Sequence, residues 1–461
     1  MSGMLNLTDT EALVIRAVAR KGGRVWAVGG CIRDLLLQQK PKDIDLVTDL
    51  PPPLSSGAMA ERGLKVIDDK TAWSHGIIRI ATYQGIIDLA TLRKDTCCDG
   101  RHAEVEFADS IEEDLWRRDL TINALAAEID EEGNLGEIID VSGGLQDIRN
   151  STIRFVGEPT ERINEDFLRM VRAARFTALG KKWHTESLSL RAIRELNEHI
   201  NEVSQERIRD EIVKALQYPM PSQFFRTLHA GKLLGHICRP VADTVGVEQN
   251  EYHAETVFDH LMFTVDASVE FTDNVLLRLA ALLHDVGKPG TKSTGEDGRV
   301  HFYKHEVQGM IIADNWMKSL KFSNKEREYV TRLVRNHQWR FQADSKDKTI
   351  RKWLRDVGED WRDLVTLRAC DRKGNLAKAG KSAVTKHMRE LIERAENILQ
   401  KGDPIFNSDL AINGNDLKAL GIKPGPIYQQ IFQDAWALVI NEPHRNTKEE
   451  LLEIVRRKHV G

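Results

Sequence analysis

The period of the apolar residues changes along this chain, and that change limits what it can fold into. From Arg24 to about Ile153, short runs rich in Val and Ile are separated by glycines and charged turns, with helical stretches between them. This is the pattern of an α/β unit. From Glu161 onward apolar residues recur at intervals of three and four, as in INEDFLRMVRAARFTAL and QERIRDEIVKALQ, so the rest of the chain reads as all-α. Tyr218-Pro-Met-Pro221 and the stretch at Cys238-Arg-Pro240 read as boundaries, and the turn-rich Lys288 to Gly298 as an internal loop. No fixed-period repeat is found, so a solenoid is not expected.

At 461 residues and 41% hydrophobic, the chain is long enough for roughly three domains. No run approaches the roughly 18 uninterrupted apolar residues of a membrane span, and the N-terminus lacks a basic segment before an apolar core. No membrane partner is expected, and the cytoplasm is the predicted compartment. The cysteines, Cys31, Cys97, Cys98, Cys238 and Cys370, show no CxxC pairing, which argues against a disulfide framework or a thiolate zinc site. A formal charge of −4 argues against a uniformly basic nucleic-acid binder, yet the 66 Lys and Arg residues can cluster locally.

Arg24-Val-Trp-Ala-Val-Gly-Gly30 reads as a strand running into a Gly-Gly turn, with a helix opening at Cys31. Gly29 and Gly30 permit close approach of backbone, and the helix N-terminus with Arg33 offers a cradle for phosphate. Alone, such a turn is more often structural. Lys42-Asp-Ile-Asp-Leu-Val47 then alternates acid and apolar residues, which in a strand puts Asp43 and Asp45 on one face. Two carboxylates so placed repel without a cation, and they are the hard oxygen ligands that Mg²⁺ prefers. Asp88, in Gly85-Ile-Ile-Asp-Leu-Ala-Thr91, is expected mid-strand among apolar neighbours, where an unpaired carboxylate is unfavourable, and is expected to complete the metal site. The bland alternative puts Asp43 and Asp45 on an exposed edge and Asp88 in solvent.

Gly29-Gly-Cys-Ile-Arg-Asp34 with Asp43-Ile-Asp45 resembles the head motif of the polymerase-β-like nucleotidyltransferases, in the branch of class II CCA-adding enzymes and bacterial poly(A) polymerases. Arg117-Arg-Asp-Leu-Thr-Ile-Asn-Ala124 resembles the branch's second motif, around the incoming nucleotide, with Leu120 where Phe is usual. Asp140-Val-Ser-Gly-Gly144 with Asp147 resembles the hinge-like third, Glu165-Asp-Phe-Leu-Arg169 the fourth, and Ser204 to Glu211 the fifth. The resemblance implies catalysis by Asp43, Asp45 and Asp88, with Mg²⁺ on Asp43 and Asp45. It implies nucleotide binding by Gly29, Gly30, Arg33, Arg118, Asp119, Asn123, Asp166, Arg169, Arg172 and Arg175.

Asp166 and Arg169, three apart in a helical segment, are expected on one helix face. An acceptor and a donor there can pair with cytosine or adenine but not with G or U, although outside this context such a pair is an ordinary ion pair. Arg93 to His102 resembles the flexible loop used in switching from C to A, departing from the family at Cys98 and Ala103; its presence argues against a CC-only enzyme but does not separate CCA addition from addition of the terminal A alone. Thr71-Ala-Trp-Ser-His-Gly76 is closer to the CCA type than to the poly(A) polymerases.

Tyr252 to Leu261 and Arg278 to Lys288 place His260, His284 and Asp285 in apolar helical settings. The adjacent His-Asp pair resembles the HD superfamily of phosphohydrolases. Asp371 matches its last ligand, and His305 and His337 match the additional histidines that hold a second metal. The resemblance implies a divalent transition metal such as Mn²⁺, Ni²⁺ or Co²⁺, whereas His253, His301 and His387 read as structural or surface residues. The expected organisation is an α/β nucleotidyltransferase head with a small mixed sheet (1–152), followed by an all-α neck (153–245), HD domain (246–375) and tail (376–461). Ile412 to Pro426 resembles a tail element in which Lys418 and Lys423 reach tRNA phosphates, or else a packed helical cap. The expected partners are a tRNA 3′ end, CTP and ATP. The alternatives are a bacterial-type poly(A) polymerase, or an HD phosphohydrolase whose head serves as an RNA-binding module.

Overall fold

The structure, a computed structural model, describes residues 3–67, 69–83, 85–98, 103–250, 252, 254–339 and 345–460. Val25–Val28 (β1), with no polar side chain, is buried along its length near the middle of a seven-stranded sheet, as suits a strand covered on both faces. Its companions are Asp45–Thr48 (β2), Lys65–Ile67 (β3), Ile77–Thr82 (β4), Gly85–Thr91 (β5), Leu125–Ile129 (β8) and Leu135–Asp140 (β9), in the order β3-β4-β5-β2-β1-β8-β9. Only β2 and β5 pair parallel, which makes this the mixed sheet that the sequence predicts.

The segment read as a flexible loop forms, on either side of residues 99–102, an antiparallel pair of strands, Arg93–Cys98 (β6) and Ala103–Phe107 (β7). Residues 99–102 themselves, and His253, lie outside the described residues. Contacts divide the chain into two units, Met1–Arg239 and Pro240–Gly461. The first carries the sheet and, beyond it, the helices Pro159–Glu165, Leu168–Thr177 and Gln205–Ala215.

In the second unit five helices surround the HD residues: Val257–Phe271, Val275–Leu283, His305–Ser319, Asn324–Asn336 and Trp361–Gly374. The first and last of these pack closely because Gly374 lacks a Cβ, which would stand 2.4 Å from the Thr264 hydroxyl. Lys288 to Gly298, read as an internal loop, begins as the short helix Lys288–Thr291 and continues into a hairpin that pairs Lys292–Thr294 with Val300–Phe302. Farther along the chain a separate core gathers around Trp436 with Leu417, Ile431 and Leu451. Among the described residues no helix is long and apolar enough to cross a membrane.

Candidate active site and metal centre

The chain leaves β1 at Gly29, whose φ of +74° lies in the left-handed region that glycine tolerates. A Cβ there would stand 3.0 Å from an Arg118 guanidinium nitrogen and 3.9 Å from an Asp45 oxygen, so the glycine lets cation and acid approach the turn. Asp45 opens β2 opposite Val28. The parallel register of Leu46 with Leu89, carried back one residue, sets Asp45 beside Asp88.

Two expectations about these acids need correction. Asp43 does not share a strand face with Asp45, because β2 begins only at Asp45. β1 ends at Val28 and its chain turns away at Gly29, so residues before Asp45 have no β1 neighbour to pair with. Asp88 is not buried among apolar side chains: it is half exposed, and Arg79 Nε lies 3.5 Å from its Oδ1. The three acids accordingly do not share one strand face. They remain electrostatically coupled. Burial raises the Asp45 pKa, and the charges of Asp43 and Asp88 raise it further against the pull of Arg118 and Arg33. That crowding of hard oxygen donors fits a divalent cation.

Asp45 and Asp88 line a cavity of about 640 Å³ into which eight arginines project against four aspartates, a balance that favours a polyanionic ligand. Most of the guanidinium groups are fixed by acids. Arg118 and Arg117 lie 2.9 and 2.8 Å from the fully buried Asp114. Arg33 is 2.6 Å from Asp34 and donates to Asn123 Oδ1 at 2.6 Å. Arg172 is 2.7 Å from Asp119, and Arg175 is 2.5 Å from Glu211 and 2.9 Å from the Tyr218 hydroxyl. Gly30 also lines this cavity.

Asp166 is not helical, contrary to expectation. It lies between Pro159–Glu165 and Leu168–Thr177 in extended conformation, where its Oδ1 accepts from the Leu168 N–H at 3.1 Å. The helix breaks there because this side chain satisfies a backbone donor that the next helix leaves open. Asp166 pairs with Arg207 at 2.6 Å and Arg169 pairs with Glu165, so the two do not pair with each other, although all of them except Glu165 line the cavity.

The buried Asp119 carries a testable consequence. Burial alone would raise its pKa, but the Arg172 guanidinium and its hydrogen bond bring it down from 3.8 to about 2. A lowered carboxylate pKa contributes stability above the unfolded value and loses it as pH falls through the folded one. Asp119→Asn is expected to remove about 2 kcal/mol at pH 6, with the difference shrinking below pH 4. Urea midpoints of both proteins at pH 6 and pH 3 check this, and a difference independent of pH refutes it.

The six HD residues meet, and all are buried. His260 Nε2 lies 3.1 Å from Asp371 Oδ1 and 3.3 Å from His284 Nε2, while His284 Nε2 is 3.2 Å from Asp285 Oδ2. On the other side His305 and His337 Nε2 lie 3.2 and 3.6 Å from Asp285 Oδ1. Two groups result, His260-His284-Asp285 and Asp285-His305-His337, joined by Asp285. The Nδ1 atoms of His284, His305 and His337 face the carbonyls of Ala281, Phe302 and Val334 at 2.7 to 2.8 Å. Donation there leaves each Nε2 lone pair pointing inward.

Buried Asp285 Oδ1 has no hydrogen-bond donor among the described residues and faces two such nitrogens, so the set fits cations. The acids hold positive charge. Against burial, which lowers it, hydrogen bonds to Asp371 and Glu255 push the His260 pKa up to about 9. His301, by contrast, stacks on Tyr303 with ring centroids 5.1 Å apart, and His387 is half-buried, 3.8 Å from Glu390.

Three neighbours escaped the sequence reading. Glu255 stands 3.2 Å from His260 Nδ1, and Lys288 Nζ lies 2.6 Å from both Asp285 Oδ2 and Gln249 Oε1. Asp114 anchors the Arg117-Arg118 pair. The one sequence signal was spacing, since Lys288 follows Asp285 by one helical turn and Asp114 precedes its arginines by three and four residues.

An acidic pair on a mixed sheet, opening onto an arginine-lined cavity, is a site built for nucleotidyl transfer, and the clustered histidines form an HD centre. The class is that of nucleotidyltransferases carrying an HD domain. Sequence comparison agrees: residues 25–154 match "Poly A polymerase head domain", 186–244 match "Probable RNA and SrmB- binding site of polymerase A", and 251–372 match "HD domain". The CC-adding tRNA nucleotidyltransferase of Thermus thermophilus is 30% identical over 410 residues, 87% of this chain and 86% of that protein. The CCA-adding enzyme of Lactobacillus helveticus is 35% identical over 215 residues, 46% of this chain and 51% of that protein, so this match spans about half of each. The Bacillus stearothermophilus CCA-adding enzyme in complex with CTP has the same fold, with a TM-score of 0.66 at 23% identity over 98% of both chains. The chain therefore belongs to the CCA-adding tRNA nucleotidyltransferase and poly(A) polymerase family. Its head and HD domains imply dependence on divalent metal.

Proposed function

We propose that this protein is a cytoplasmic enzyme that adds the terminal nucleotides of CCA to tRNA 3′ ends, using CTP and ATP. The observation that carries the reading is Asp45 beside Asp88 at the edge of an arginine-lined cavity. Asp43 and Asp45 would hold Mg²⁺, which would supply Lewis-acid activation of the 3′ hydroxyl and the phosphates. The protein does the rest. Gly29 and Gly30 bring backbone close to the triphosphate, and Arg33, Arg118, Arg172 and Arg175, with Asp119 and Asn123 fixing them, hold the nucleotide. The 3′ oxygen attacks the α-phosphorus, pyrophosphate leaves with the bonding pair, and the hydroxyl proton passes to Asp88.

Purified protein incubated with tRNA lacking A, CA or CCA, and with CTP, ATP or both, tests this. Sequential addition of C, C and A is expected. Growth of long A tails instead supports a poly(A) polymerase, and addition of A alone restricts the reading to the last step.

Asp166 and Arg169 are read as the base selectors, the carboxylate accepting from the exocyclic amine and the guanidinium donating to ring acceptors. Arg207 and Glu165 hold them in place. Arg169→Ala is expected to relax discrimination against UTP and GTP by at least about tenfold, read as kcat/KM ratios. Unchanged ratios reduce the residue to a structural ion pair.

A second activity is favoured by the two ligand groups sharing Asp285: metal-dependent phosphohydrolysis in the HD centre, with Mn²⁺, Ni²⁺ or Co²⁺ and phosphorylated or cyclic-phosphate RNA ends as substrates. His260, His284, Asp285 and Asp371 would hold one ion, with His305 and His337 on the other side of Asp285.

A further inference from the structure

Four histidines line the HD centre, and three of them are fixed alike: the Nδ1 atoms of His284, His305 and His337 face main-chain carbonyls. His260 is held differently. Its Nδ1 stands 3.2 Å from Oε1 of Glu255, and both side chains are closed off from solvent. Burying a carboxylate is unfavourable unless its oxygens find partners. The other oxygen, Oε2, accepts from the main-chain N–H groups of Ala254 and Leu376, each at 3.1 Å. Leu376 belongs to a distant part of the sequence, two residues beyond the helix Trp361–Gly374 that carries Asp371.

We infer that Glu255 is a positioning residue of the HD centre: one of its oxygens orients His260, and the other fastens the end of the helix that carries Asp371, so that both side chains converge on one ion. The inference rests on the metal-binding reading of the HD centre. Asp371 Oδ1 lies 3.1 Å from His260 Nε2, so the contacts close a ring. It runs from Glu255 to His260, across to Asp371, along the helix to Leu376, and back to Glu255. Within the ring the two imidazole nitrogens take different tasks. A negative charge beside Nδ1 favours the tautomer with the proton there, leaves the lone pair on Nε2, and makes that lone pair a stronger donor. A carbonyl, which serves the other three histidines, orients the ring without adding a charge.

Neighbouring contacts hold Glu255 where both tasks can be done. The buried Asn375 donates to the Tyr252 carbonyl at 3.2 Å, which ties the two segments together a second time. Gln249 Nε2 donates to the Glu255 carbonyl at 3.2 Å, while its Oε1 accepts from Lys288 Nζ at 2.6 Å. Lys288 in turn reaches Asp285 Oδ2. The segment ahead of the helix Val257–Phe271 is therefore connected to His260, Asp371 and Asp285. A clasp that only joined two loops would need the contacts of Asn375 and Leu376 but no charge at His260.

The test compares the full-length wild type with Glu255→Gln, which keeps the size and an acceptor oxygen but removes the charge, and with Glu255→Ala. Mn²⁺ and Co²⁺ dissociation constants are measured by competition with a chelator, together with the Co²⁺ absorption spectrum and the thermal midpoint of metal-free protein. Glu255→Gln is expected to bind Mn²⁺ at least about tenfold more weakly, with shifted Co²⁺ bands and a metal-free midpoint close to that of wild type. Glu255→Ala should weaken binding further and speed hydrogen exchange at residues 374–378. Nucleotide addition by both variants should match wild type. Mn²⁺ affinity of Glu255→Gln within about twofold of wild type overturns the inference and leaves Glu255 as a clasp between two loops. A Glu255→Gln protein that is unfolded without metal overturns it as well, since the carboxylate then serves the fold and not the ion. If wild type binds both ions and Glu255→Gln equals it, this inference alone fails. If wild type binds neither, the metal-binding reading of the HD centre fails first and this inference with it.

Discussion

Asp45→Ala protein, supplied with tRNA lacking its 3′ nucleotides, CTP, ATP and Mg²⁺, is expected to incorporate nucleotide at least about 10³-fold more slowly than wild type. Asp45 carries the largest expected effect because three independent features converge on it. It faces the turn that Gly29 makes possible, it lies beside Asp88 through the parallel register of β2 and β5, and it lines the arginine-rich cavity. The substitution removes a carboxylate at the exposed start of β2 whose charge is disfavoured by partial desolvation and by two neighbouring acids, so the fold should survive. A raised carboxylate pKa means the folded state disfavours the charge, and that penalty grows as pH rises above the unfolded value. The control is any hydrolysis by the HD centre, which draws on none of these residues. Incorporation within tenfold of wild type would remove Asp45 from the chemistry and return it to the role of a strand-end acid.

The residues that could be read without a structure are those whose role is written locally. The run Val25–Val28 is a buried strand because nothing polar interrupts it, and Gly29 follows it at the point where the backbone adopts a positive φ. The HD cluster was legible because His-Asp adjacency at the end of an apolar helix has few structural uses, and each further histidine lay in a motif of its own.

What escaped was non-local. Where β2 begins is decided by β1, which ends opposite Asp45, so alternation alone placed Asp43 wrongly on the strand. Asp88 is half exposed and faces Arg79 across the β4–β5 pair. Asp166 occupies a helix break that apolar spacing runs straight through, since its own side chain replaces the missing backbone bond. The pairings Asp166–Arg207 and Arg172–Asp119 span about forty and fifty residues, which no short motif encodes.

The second large effect is expected in the other unit. Asp285→Ala should abolish transition-metal binding at the HD centre and with it any phosphohydrolase activity, while nucleotide addition proceeds. Asp285 is the one residue shared by both ligand groups, its two oxygens facing different histidines, so its loss opens both sides at once. His284→Ala should weaken the first group and leave His305 and His337 beside Asp285 Oδ1. Changing even an outer partner of a metal ligand commonly costs roughly 10- to 100-fold in affinity, and the loss of a direct ligand should exceed that. Folding is the competing explanation, because Asp285 also holds the buried Lys288 at 2.6 Å. Asp285→Asn answers it, since the amide keeps the shape and a hydrogen-bonding oxygen but not the charge. Metal content, thermal midpoint, and hydrolysis of 2′,3′-cyclic phosphates and nucleotides with Mg²⁺, Mn²⁺, Ni²⁺ and Co²⁺ should be measured on wild type and all three variants. A wild type that binds none of these ions and hydrolyses none of these substrates makes the HD cluster a structural core stabilised by its own charge pairs. Metal and activity lost in Asp285→Asn at an unchanged thermal midpoint assign the carboxylate to the ions.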